Sequence, residues 1–303
     1  MKSSSDQPSP LSSDVSQRFL FDSADIRGET IHLGAAFEEI LAIHRYSPVV
    51  NQLLGEFLAA AVLLSTTLKF EGKLILQARS SGQIPLIMVE CTNELHVRAI
   101  VRGAEQASST DFSQLLNTGQ LAITIDPRDG QRYQSIVPLS ENSLAESLDA
   151  YFEQSEQLAT RFWLHGDQHQ AAGMLLQQLP TQTVKDKSQR EEQWQHARAL
   201  ADTIKADELL NLQAPELLHR LYHETPVRLF EPTEVKFQCS CSRDRTLAAL
   251  ATIDQAELED ILKEQGEITM DCEFCKRQYG YNKEDIAPLL ALQIPAPEST
   301  TLH

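Results

Sequence analysis

The chain has 303 residues, of which 42% are apolar and 23% charged, and its net charge is −17. At roughly 150 residues per domain this suggests about two domains, and the apolar content excludes wholesale disorder. The negative charge argues against a nucleic-acid partner and against docking on an anionic membrane.

Residues 1–16 are rich in Ser, Pro and Asp and have no apolar core of the kind a secretory signal needs, so a disordered tail is expected there. Residues 17–180 read as one N-terminal α+β domain. Strand-like runs fall at 18–22, 29–33, 73–79, 85–91, 95–102, 121–126 and 160–165, several with alternating apolar and polar residues. Ser47 and Pro48 form an N-cap and first-turn pair for a helix running to Thr67. Its middle, LAAAVLL, is apolar on nearly every face and predicts a buried central helix. The longest apolar run, Phe57 to Leu64, is shorter than the roughly 20 residues of a membrane span, so no transmembrane helix is expected. A second helix fits Asn142 to Leu158, with Leu144, Leu148 and Tyr151 on one side. The elements do not alternate as βαβ units, which favours a mixed α+β fold over a doubly wound sheet.

Residues 181–230 form a helical linker rich in Gln, Lys, Glu and Asp. Trp194, Ala197, Ala201 and Ile204 give it a thin apolar stripe, so it is expected to be amphipathic and weakly anchored. Residues 231–292 form a small C-terminal module. Asp254 caps a helix that Gly266 ends, GEITMD (266–271) reads as a strand, and Asn282 caps a last helix to about Leu292. Residues 293–303 are a loose tail. A module this small has a marginal core and usually needs a staple.

Four of the five cysteines lie in that module, as Cys239-Ser-Cys241 and, after 30 intervening residues, Cys272-Glu-Phe-Cys275, with no histidine between Cys239 and Cys275. Four soft ligands without imidazole fit a tetrahedral zinc held by four thiolates. An iron–sulfur cluster is the competing metal reading, but the usual ferredoxin spacings are absent. A thioredoxin-like redox motif would leave the other pair unexplained. A disulfide between Cys239 and Cys241, at positions i and i+2 of an extended chain, would be strained and easily reduced. Arg243, Arg245, Lys276 and Arg277 flank the pairs and would favour thiolate or balance a four-thiolate zinc. Structural zinc contributes about 10–16 kcal/mol at neutral pH. Spread over two disulfides, that would raise each reduction potential by on the order of 100–170 mV, keeping the resting thiols reduced. Cys91 ends an apolar strand and reads as a buried, inert thiol. Gly28, Gly55 and Gly103 read as turn or packing glycines, and no Walker loop is present.

The motifs FQCSCSRDR (237–245) and CEFCKRQYGYNKED (272–285) resemble those of the heat-shock protein 33 family, the bacterial redox-regulated holdase chaperones. The likeness extends through LLHRLYHETPVRLF (217–230) and NQLLGEFLAAAVLLSTTLKFEGKLILQ (51–77), and covers nearly all of residues 17–290. The resemblance implies a non-enzymatic, ATP-independent, cytoplasmic chaperone. One zinc on Cys239, Cys241, Cys272 and Cys275 would keep the reduced form inactive. Oxidative stress would form Cys239–Cys241 and Cys272–Cys275 disulfides, release the zinc and unfold the module and linker. The active form, a homodimer, would bind unfolding or oxidatively damaged proteins and pass them to ATP-dependent foldases. A thiol–disulfide oxidoreductase and a non-switching zinc-stapled adaptor are the other readings that the cysteines allow.

Overall fold

The computed structural model describes residues 14–139 and 142–292, and the chain divides into two compact units, one through Gln238 and one from Cys239. The expected tails at 1–13 and 293–303 lie outside the described residues. The first unit begins with β1 (Val15–Phe21) and β2 (Ile26–Leu33), so strand structure starts inside the segment expected to be loose. Then follow α1 (Ala35–Ile43), α2 (Pro48–Thr67), β3 (Gly72–Arg79), β4 (Leu86–Thr92), β5 (His96–Arg102), α3 (Phe112–Leu115), β6 (Gly119–Pro127) and β7 (Tyr133–Leu139). After these come α4 (Leu144–Tyr151), β8 (Thr160–Gly166) and β9 (Ala171–Gln178). Mixed sheets and helices in this order make the fold α+β.

Helix α2 runs between the two large sheets and contributes to one core with both. Thirteen of its 20 residues are buried, so its near-uniform apolar character reflects contact on nearly all faces. It has the length and apolar composition of a membrane span, which the run Phe57–Leu64 alone understates, but 72% of the apolar window is buried in the protein. Pro48 opens the helix as expected, whereas the Ser47 hydroxyl does not cap it and donates to the Ala107 carbonyl at 3.1 Å. The helix expected over 142–158 is α-helical only to Tyr151. Ser143 accepts from Glu146 N–H at its start, and after Tyr151 the chain widens into a π turn at Phe152–Glu156. Asp149 accepts the Phe162 N–H at 2.8 Å and pairs with Arg161 at 2.5 Å, tying α4 to β8 before the helix can continue.

The pattern of β9 gives no alternation because both of its faces are covered, by the α2 core on one side and the linker on the other. The linker comprises α5 (Lys187–Ala201), α6 (Ala206–Asn211) and α7 (Ala214–Tyr222). Trp194, Ala197 and Ala201 are buried as their spacing predicts, and Leu209, Leu210, Leu217, Leu218 and Tyr222 widen the contact against Phe19, Phe21 and Met174. Asp25, in the β1–β2 turn, accepts N–H groups from Gln182, Thr183 and Val184 and pairs with Arg190 at 2.6 Å.

Residues 226–238 then run across the first unit as a strap. β10 (Val227–Leu229) and β11 (Thr233–Glu234) pair antiparallel with β1, and β12 (Lys236–Phe237) pairs parallel with β5. One sheet is ordered β10-β1-β2-β9-β8, with β11 also on β1, and the other β12-β5-β4-β3-β6-β7. Residues 231–238 were expected to open the C-terminal module, but backbone pairing with β1 and β5 places them in the first unit.

The second unit contains α8 (Arg243–Leu250), α9 (Gln255–Gln265), the hairpin β13 (Ile268–Asp271) and β14 (Gln278–Tyr281), and α10 (Lys283–Leu292). Asp254 caps α9, Gly266 ends it at φ 81°, and Asn282 accepts the Glu284 and Asp285 N–H groups ahead of α10. Among the described residues its core is five buried side chains: Leu250, Leu258, Ile268, Tyr281 and Ile286.

Candidate metal centre

Each cysteine pair lies where local chemistry fixes the chain. Cys239 and Cys241 lie on the extended chain just before α8, whose first turn Ser242 caps through the Arg245 N–H. Cys272 and Cys275 lie in the turn between β13 and β14. That turn is closed by Lys276 N–H donating to the Cys272 carbonyl at 2.7 Å and Cys272 N–H donating to the Arg277 carbonyl at 2.9 Å. Lys276 takes a left-handed φ of 57°, which bends the chain back into β14.

The four Sγ atoms lie within 4.8 Å of one another, with Cys239 to Cys272 at 3.6 Å and Cys241 to Cys275 at 3.5 Å. A tetrahedron with metal–sulfur bonds of about 2.3 Å has edges of about 3.8 Å, so the donor set could hold one metal ion. Cys272 is buried and the other three are half-buried.

The hydroxyl of Tyr279 donates to Cys241 Sγ at 3.1 Å. Burial raises the Cys241 thiol, but the bond from Tyr279 and those among the cysteines outweigh it and bring Cys241 down to about 7. Cys275 goes the other way, pushed up to about 12 by burial and by its thiol neighbours.

The flanking cations are used differently from one another. Arg243 pairs with Asp285 at 2.7 Å and lies over the Tyr281 ring at 4.5 Å, and Arg245 donates to the Ser240 carbonyl at 2.9 Å. Those two brace the module. Arg277 faces Tyr279 and the charges of Cys241 and Cys275, all of which raise its pKa. Tyr279 was not singled out from the sequence; its only signal there is its place four residues after Cys275 in the strand that returns from the turn.

Cys91 lies apart from the cluster, on β4. It is fully buried, and desolvation pushes its thiol up to about 12, against a weaker lowering by Ser65. Of the three glycines, Gly28 is a packing glycine, because a Cβ there would sit 2.0 Å from the Phe19 ring.

An α+β body joined through a helical linker to a small unit carrying four convergent thiols defines a class of protein with a separate four-cysteine unit. The chain belongs to the Hsp33 family: the Hsp33 protein model matches residues 14–282. It is 52% identical over 294 residues to the 33 kDa chaperonin of Pseudomonas aeruginosa, covering 96% of this chain and 99% of that one. The 33 kDa chaperonin of Azotobacter vinelandii is 51% identical over 293 residues, at 96% and 99% coverage. The crystal structure of the Thermotoga maritima 33 kDa chaperonin, a heat shock protein 33 homologue, superposes with a TM-score of 0.78. It shares 24% identity and is covered to 98%, against 92% of this chain, which supports the same fold. By the names its members carry, this is a chaperone family.

Proposed function

We propose that this chain is a redox-regulated, ATP-independent holdase of the cytoplasm, held inactive by one zinc on Cys239, Cys241, Cys272 and Cys275. The convergence of four thiols in a unit whose core, among the described residues, is five buried side chains carries this reading. A bound zinc would supply a cross-link that joins the extended segment before α8 to the hairpin turn.

The chemistry of the switch lies in the thiolates. A thiolate attacks a peroxide oxygen; the S–O bond forms, the O–O bond breaks and hydroxide leaves. The second thiolate of the pair then attacks that sulfur, forming S–S and releasing a second hydroxide. Every Sγ is within 4.8 Å of every other, so several pairings are in reach, and the assignment Cys239–Cys241 and Cys272–Cys275 follows the family resemblance. With both pairs oxidised, no thiolate remains to hold a cation, and the unit loses its staple. The module and linker then unfold and the protein, as a homodimer, holds unfolding proteins for ATP-dependent foldases.

A thiol–disulfide oxidoreductase fits less well. Cys272 and Cys275 sit in a hairpin turn, without the helix N-terminus that lowers the attacking thiol's pKa in such enzymes.

The test is the aggregation of a heat-unfolded protein in the presence of reduced zinc-loaded or peroxide-oxidised protein, with zinc and free thiols counted on the same samples. The proposal expects protection only after oxidation, with one zinc and four thiols lost together and Cys91 spared. Equal protection by both forms, or by neither, refutes it.

A further inference from the structure

The strap at 226–238 ends one residue before Cys239, and it is the outermost strand of both large sheets. Its N–H groups at Phe230 and Val235 donate to the carbonyls of Arg18 on β1 and of Asp14 just before it, at 2.9 and 2.7 Å. Those of Lys236 and Gln238 donate to the Leu95 and Val97 carbonyls on the β5 side, both at 3.1 Å. Side chains at alternate positions fill apolar slots beside these edges. Val227 and Leu229 pack against the linker-side core, whereas Val235 is 1% exposed in the α2 core and Phe237 packs beside it.

Without the strap, β1 and β5 would each present a row of unpaired main-chain groups next to an open apolar slot. Bare edges of this kind take up another extended chain by strand addition. The present occupant defines what fits: an extended segment with apolar residues at every second position and free N–H groups facing the edge. Folded proteins keep such segments inside their own sheets, and unfolding proteins expose them. We propose that the edges of β1 and β5, uncovered when the strap leaves, are the docking surface for unfolded clients, which replace the strap strand for strand. This rests on the switch proposed above, because unfolding from Cys239 onward is what would free the strap.

A synthetic peptide of residues 226–238 tests this on the full-length protein. The peptide is expected to bind the oxidised form and not the reduced zinc-loaded form, and to compete with a heat-unfolded client. The same peptide N-methylated at Lys236 and Gln238 loses two main-chain donors. It should bind about 25-fold more weakly, at roughly fivefold per hydrogen bond. A second arm uses Val235→Asp, which should loosen the strap without oxidation. Reduced Val235→Asp that still holds its metal and four free module thiols should then suppress aggregation. If the oxidised protein suppresses aggregation but ignores the peptide, or binds both peptides equally, strand addition is overturned and the switch stands. If neither form suppresses aggregation, the switch itself fails.

Discussion

Helix α2 passes through the first unit with thirteen of its 20 residues buried, whereas the described residues of the second unit close around five buried apolar side chains and four thiols. The body gains its stability from apolar area, which redox chemistry does not touch, and its own cysteine is sealed in that core. Among its described residues the module buries little apolar area, and the metal proposed above would concentrate its stability in side chains that an oxidant can reach. The linker stands between these cases. It packs well on the first sheet, but it does so through helices whose outward faces are almost entirely polar.

Removing the metal should separate the two units most sharply. Structural zinc sites contribute about 10–16 kcal/mol, more than a typical domain's whole stability. Chelation at neutral pH should therefore abolish amide-exchange protection in α8, α9 and the β13–β14 hairpin while leaving α2 and β9 protected. Protection that persists in the module would remove the contrast.

A smaller effect is expected where the linker meets the body. Burial alone would raise the Asp25 carboxyl, but hydrogen bonds from Gln182, Thr183 and Val184 bring it down to about 2. A carboxyl depressed in the folded state stabilises fully above its unfolded value, near 4, and loses that contribution as the pH falls toward 2. Asp25→Asn should cost about 1–3 kcal/mol at pH 7 and should flatten the pH dependence below 4. Fluorescence of Trp194, 5% exposed on α5, would report the loosening. An unchanged profile would show that the linker is held by its apolar contacts alone.

The smallest effect belongs to Tyr279→Phe, which removes the hydroxyl bonded to Cys241 and leaves the ring. Losses of such an outer hydrogen bond weaken metal sites by about 10–100-fold. Competition with a metal-binding dye should show that weakening with the body's melting transition unmoved. Undiminished affinity would mean that the module tunes its thiols by other contacts.

Much of this was readable in the sequence because it is written locally. The cysteine spacing, the polar linker, the caps at Asp254 and Asn282, the stop at Gly266 and the buried character of α2 each depend on neighbours within a few residues. The strands β7 and β9 were not readable. β7 turns Val137 and Leu139 inward but carries the apolar Ile136 and Pro138 on its outward face, and β9 is covered on both faces, so neither sequence shows the apolar–polar alternation that marks a half-buried strand. Residues 231–238 of the strap were expected in the C-terminal module for a similar reason. Val235 has its partner at Asp14, over two hundred residues away, and no local pattern records that pairing.

The sequence by itself determined the α+β class, the two-part organisation and the identity of the four thiols, because composition and short spacing carry all three. Only the tertiary structure decided that the four sulfurs converge to tetrahedral distances, that the Tyr279 hydroxyl bonds to one of them, and that, in the first unit, a strap covers one edge of each large sheet. Those facts come from chain segments brought together across long separations, where a side chain's surroundings are set by packing and not by its neighbours in sequence.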